Sequence, residues 1–232
     1  MTGPRPVTRW RRSSPTYLLF DIDGTLLDSD GAGRGALNRA YSEVAGIANA
    51  MDGVVFQGRT DCWILDEVKR RTGLDVDRSS LLPRYYEIVE QELAERNPRA
   101  LPGVPELVDA LAARDDVVLG LGTGNLRRAA FLKLASVGLD GYFTGGGFGD
   151  DHVDRVDMLR DGAREIGWTE GERLAVIGDT EHDITGGRAL GAFVLAVATG
   201  WTSFEELAAH QPDALLPDLS DLDGVMAMLL SG

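Results

Sequence analysis

The stretch Tyr17-Leu18-Leu19-Phe20-Asp21-Ile22-Asp23-Gly24-Thr25 decides how the rest of the chain is read. Four apolar residues that end at a carboxylate predict a short strand buried on both faces, as in a parallel sheet. Asp21 and Asp23 stand two apart, so along a strand they project to one side. Gly24 permits a sharp turn after them. Like charges this close repel, which calls for a cation or a shared proton between them. The plainer alternative is a helix-capping turn with spare aspartates.

Three later runs resemble the first. Val117–Gly122 stops at Thr123, Leu174–Gly178 stops at Asp179, and Phe193–Val197 stops near Thr199-Gly200. Ala214–Leu216 is a candidate fifth strand. Helical patterns separate them: Pro105 opens one that carries Leu107, Val108 and Leu111; Phe131, Leu132 and Leu134 mark a second; Met158, Leu159 and Ala163 mark a third. Strand alternating with helix predicts an α/β fold, a Rossmann-like parallel sheet covered on both faces. In such sheets ligands bind beyond the carboxyl ends of the strands, where Asp21, Thr123 and Asp179 all fall.

Residues 30–99 break the alternation. Leu37, Ala40, Tyr41 and Val44 recur at helical spacing, as do Ile64, Leu65 and Val68, and then Leu82, Tyr85, Tyr86, Val89 and Leu93. No strand is expected there. The division predicted is a flexible N-terminal arm at 1–16, a core of 17–29 and 100–232, and an inserted α-helical cap at 30–99.

Composition narrows the function. The chain has 232 residues, 23 basic against 37 acidic, for a net charge of −14. Acidity on this scale argues against a general nucleic-acid binder; a small phosphorylated substrate needs only a local cationic pocket. The longest uncharged apolar run, 189–201, is too short for a membrane span. A single cysteine, Cys62, excludes an internal disulfide framework. The arm holds arginines and prolines but no apolar leader segment, and a cytoplasmic monomer or homodimer is expected.

Three more segments carry candidate chemistry. Thr123-Gly124-Asn125 sets a hydroxyl, backbone N–H groups and an amide before a helix, which suits an anion or a plain N-cap. Gly178-Asp179-Thr180-Glu181-His182-Asp183 sets two aspartates four apart at a strand end, which suits a hard divalent cation or a solvated acidic loop. In the loop 149–157, Arg155 is the best-placed cation, with a surface ion pair to Asp151 or Asp154 as its ordinary alternative.

In this order, FDIDGTLLDS at 20–29, TGN at 123–125, Arg155 and GDTEHD at 178–183 resemble the haloacid dehalogenase superfamily. The similarity is to its phosphoglycolate phosphatase-like and β-phosphoglucomutase-like members with a helical cap. The resemblance implies a Mg²⁺-dependent phosphatase acting on a small phosphorylated metabolite. Asp21 would be the nucleophile, Asp23 the general acid and then base, and Thr123, Gly124 and Asn125 the phosphoryl-binding groups. Asp21, Asp23 (through its carbonyl), Asp179 and Asp183 would be at or beside the metal. Arg155 would fill the position usually held by lysine; the only two lysines, Lys69 and Lys133, fall outside that segment. For Asp23 to act as an acid, its pKa should exceed that of Asp21. In the cap, Arg59, within Gly58-Arg59-Thr60-Asp61, is the candidate for a second anionic group on the substrate, unless it pairs with Asp61. The competing readings are a phosphosugar mutase and a non-catalytic binding protein of the same fold.

Overall fold

The computed structural model describes residues 15–150 and 152–230. The expected arm lies outside them except for its last two residues, and Thr16 already belongs to the first strand. In chain order the elements are β1 (Thr16–Phe20), β2 (Leu27–Asp28), α1 (Ala32–Ala45), α2 (Asp61–Thr72), α3 (Arg78–Glu95), β3 (Arg99–Ala100), α4 (Val104–Ala112), β4 (Val117–Gly122), α5 (Arg127–Ser136), β5 (Gly146–Gly147), α6 (Arg155–Glu165), β6 (Leu174–Gly178), α7 (Glu181–Ala189), β7 (Phe193–Val197), α8 (Phe204–Ala209), β8 (Ala214–Leu216) and α9 (Leu222–Leu230).

Six strands form one sheet in the order β5-β4-β1-β6-β7-β8, and each neighbouring pair is parallel. The chain winds outward from β1 to β4 and β5 on one side, then from β6 to β8 on the other. The direction reverses beside β1, and at such a switch point a crevice opens beyond the strand ends. Alternate residues of β1 supply the two faces. Leu18 and Phe20 pack with Leu107, Val108 and Leu111 of α4 and with Val225 and Leu229 of α9. Tyr17 and Leu19 pack with Met158, Leu159 and Ala163 of α6.

The helices α1, α2 and α3 gather a separate apolar cluster, with Leu37, Tyr41, Ile64, Val68, Tyr85 and Ile88 at its centre and Leu126 and Ala129 of the α5 region joining it. Two short elements depart from expectation. β5 consists of two glycines, so no apolar run announces it. β2 and β3 pair antiparallel, Leu27 with Ala100 and Asp28 with Arg99; a strand residue therefore falls at 99, within a segment expected to have none. Among the described residues, no helix is long and apolar enough to cross a membrane.

Candidate active site

Asp21 follows β1 directly, and its N–H donates to the Ile177 carbonyl of β6 at 2.9 Å, which fixes it at the switch point. The Ile22 carbonyl accepts from the N–H groups of Thr25, Leu26 and Leu27. This tight turn keeps Asp23 beside Asp21. Gly24 holds a φ of +83°, and a Cβ there would stand 2.6 Å from Asp179 Oδ2 and 2.8 Å from the Gly200 Cα. Only glycine lets the three strand ends approach so closely.

Asp179 ends β6 and is 1% exposed. Carboxylate oxygens of Asp21, Asp179 and Asp183 lie within 4.8 Å of one another, all buried. Asp183 has further work: its Oδ2 accepts from Thr180 Oγ1 at 2.7 Å and from the Thr180 N–H at 3.1 Å, closing the cap of α7. Its Oδ1 accepts from Arg155 at 2.5 and 3.0 Å. Asp183 thus lies under the site, buried and with both oxygens engaged, so the solvated acidic loop does not describe it.

Arg155 is the first residue of α6, whose N-cap is Asp154. The structure replaces the expected surface ion pair to Asp154 with a buried one; Asp151, the other expected partner, lies outside the described residues. Arg155 is buried, 3.1 Å from Asp21 Oδ1, and it donates to the Gly122 carbonyl at 3.1 Å as well as to Asp183. Its pKa is raised, because the attraction of Asp183 and Asp21 outweighs the cost of burial.

On the other flank, Thr123 Oγ1 accepts from the Asn125 side-chain amide at 2.8 Å. The same amide nitrogen donates to Asp23 Oδ2 at 2.8 Å. Asn125 was expected to face a phosphoryl oxygen, but its side chain is spent on tying the Thr123 loop to Asp23. The larger surprise is Lys133, placed by sequence outside the site. It is 4% exposed, and its Nζ donates to Asp23 Oδ2 at 2.6 Å and to Asn125 Oδ1 at 2.6 Å. Ser29 Oγ donates to Asp23 Oδ1 at 2.9 Å.

These contacts reverse the expected order of acidity. Burial lifts Asp21 to about 6, with Asp183 and Asp23 adding to the rise and Arg155 opposing it. Burial also pushes Asp23 upward, but the charge of Lys133 and the hydrogen bonds from Lys133, Asn125 and Ser29 bring it below its ordinary value. Asp179 is raised well above its ordinary value by burial and by the carboxylates around it. A cation on Asp21 and Asp179 would lower both, since opposite charge favours the ionised form. Buried oxygen donors of this kind, close together and short of positive charge, fit a hard divalent ion.

The helices α1 to α3 close over this floor. The Asp61 N–H donates to the Gly124 carbonyl at 2.7 Å, the Cys62 N–H donates to the Gly149 carbonyl at 3.2 Å, and Asp61 Oδ2 accepts from the Leu126 N–H at 2.8 Å. A Cβ on Gly124 would stand 2.1 Å from the Arg59 carbonyl oxygen. Arg59 is not paired with Asp61; its guanidinium lies over the Trp63 ring, 4.5 Å from the centroid. A cavity of about 650 Å³ remains, lined by Asp21, Asp23, Thr123, Gly124, Asn125, Arg155 and Asp179 below and by Arg34, Phe56 and Arg59 above. Trp201, 82% exposed, stands at its edge.

Several known proteins are similar to this chain. A phosphoglycolate phosphatase of Photorhabdus laumondii is 26% identical over 224 residues, covering 88% of this chain and 89% of the relative. The pyrophosphatase PpaX of Oceanobacillus iheyensis is 23% identical over 211 residues, covering 88% and 94%. The crystal structure of CbbY from Rhodobacter sphaeroides in complex with phosphate superposes with a TM-score of 0.69 at 17% identity, covering 90% of this chain and 96% of that one. The family model for haloacid dehalogenase-like hydrolases matches residues 18–197, from the strand that presents Asp21 to the one beyond Asp179, and the chain belongs to that family.

Proposed function

We propose that this chain is a phosphatase that hydrolyses a small phosphate monoester in two displacements, through a phosphorylated Asp21. The observation that carries the reading is the buried group of Asp21, Asp179 and Asp183, with Asp23 beside it, at the floor of the cavity. Phosphoryl transfer depends on positioning and on neutralising charge, and this floor supplies both.

Asp21 and Asp179, with the Asp23 carbonyl, would hold Mg²⁺. When bound, it screens the charge of the phosphoryl oxygens and of the acidic cluster. Asp21 attacks phosphorus in line with the ester oxygen. Thr123 and the Gly124 N–H face the equatorial oxygens. Arg155 holds Asp21 in place and offsets the charge gathering around it. The negative charge of the arriving phosphoryl group draws a proton onto Asp23; Asp23 gives it to the departing oxygen, then takes one from the water that attacks the phosphorylated Asp21. Arg59 and Arg34, both lining the upper cavity, receive an anionic or polar leaving group. The named relatives make 2-phosphoglycolate and pyrophosphate the first compounds to assay.

The test is a panel of phosphorylated metabolites assayed with Mg²⁺, with EDTA, and with Mg²⁺ restored. Turnover that EDTA abolishes and Mg²⁺ restores is expected, and Asp21→Asn should lose it while keeping the wild-type circular dichroism. Full activity in Asp21→Asn rules out this nucleophile.

A further inference from the structure

Lys133 is a buried cation whose contacts all lie inside the site, yet the chemistry above gives it no task. We infer that Lys133 is a positioning residue for the second displacement. It fixes the Asp23 carboxyl in the orientation that draws a proton from water, an assignment that rests on the phosphorylated-Asp21 reading.

Asp23 receives three side-chain donors: Lys133 and Asn125 on Oδ2, and Ser29 on Oδ1. Lys133 also fastens the Asn125 carbonyl oxygen, so one ammonium orients both the acid and the amide beside it. The backbone of α1 closes over this ammonium: a Cβ on Gly33 would lie 3.2 Å from Nζ. The site's two buried cations therefore serve different carboxylates, Arg155 with Asp21 and Asp183, Lys133 with Asp23.

The two displacements ask different things of Asp23. In the first, the Asp21–phosphorus bond forms, the bond from phosphorus to the ester oxygen breaks, and that oxygen takes the Asp23 proton. The same three donors still hold the Asp23 carboxyl in place for the step that follows. In the second, the water oxygen bonds to phosphorus, the Asp21–phosphorus bond breaks, and the water proton passes to Asp23. Loss of Lys133 should weigh on this second step, where a correctly aimed Asp23 is needed.

The substrate p-nitrophenyl phosphate separates the steps, because its leaving group departs without needing a proton. With it, Lys133→Met should lower kcat by about 10²-fold, the usual worth of a general base. KM should fall in parallel, so that kcat/KM, which reports only the first step, changes by less than about threefold. Protein quenched in acid during turnover should then carry one phosphoryl group on Asp21 by mass spectrometry. Lys133→Gln, shorter and uncharged but still polar, is run beside it in case the methionine variant does not fold, with the same signature expected in weaker form. A kcat/KM that falls with kcat and no trapped phosphoryl group would overturn the assignment, as would an unchanged kcat. If the wild type turns over and only this signature is missing, Lys133 alone loses its role. A wild type inert toward every ester overturns the phosphatase reading, and the role of Lys133 with it.

Discussion

Arg155 is buried between Asp21 and Asp183, so its loss takes from both carboxylates the cation that faces them. Arg155→Met should cost about 3–5 kcal/mol of stability, the usual penalty for breaking a buried pair from one side, as read from urea melts. Arg155→Lys should recover part of this but not all. Lysine brings one point charge, whereas the guanidinium reaches Asp183, Asp21 and the Gly122 carbonyl together. The aspartates were legible in the sequence because each lies within a few residues of a strand end, where local pattern and chemistry coincide. Lys133 was not, since no motif surrounds it and it reaches Asp23 across 110 positions of chain. One signal was available: Lys133 shares the inward face of α5 with Ala129, Ala130 and Leu134, and a charge on a buried face requires a partner.

The start of α5 has no side-chain cap of its own, and Asp61 of α2 supplies the acceptor for Leu126 from across the cavity. Burial is the main force that raises Asp61 to about 6, with Asp23 and Asp150 adding to it and Lys133 and the Leu126 hydrogen bond opposing it. A carboxyl whose folded pKa lies above its unfolded value binds protons more tightly when folded, so it contributes a loss of stability as pH rises from about 4 to 6. Asp61→Asn keeps an acceptor for Leu126 without the buried charge. Its melting temperature relative to wild type should therefore be higher at pH 7 than at pH 4, by differential scanning calorimetry; an equal difference at both values would contradict this. The five apolar runs were each recovered as strands, because parallel strands buried on two faces must be apolar throughout. β5 escaped notice because a close approach, and not burial of side chains, made its residues glycine: a Cβ on Gly147 would collide with the Met158 carbonyl oxygen at 2.2 Å.

Across the whole molecule, the three helices rest on the sheet through apolar side chains and through very close approaches at glycines. Gly124 meets the Arg59 carbonyl, and Gly58, with φ +65°, leaves room for the His182 ring. Gly124→Ala should lift this contact, lower kcat/KM for every ester and increase cleavage of the 46–60 segment in limited proteolysis, with little change in circular dichroism. A variant as active and as protected as wild type would show that the contact does not govern closure. The two chain crossings that join the helices to the sheet, at Leu27–Asp28 and Arg99–Ala100, run side by side as a two-residue ladder, and Arg99 pairs with Asp28 across it. Two strings knotted at one point cannot swing independently. Both connections to α1, α2 and α3 thus leave the sheet at one place, and any displacement of these helices relative to it has to turn on that ladder.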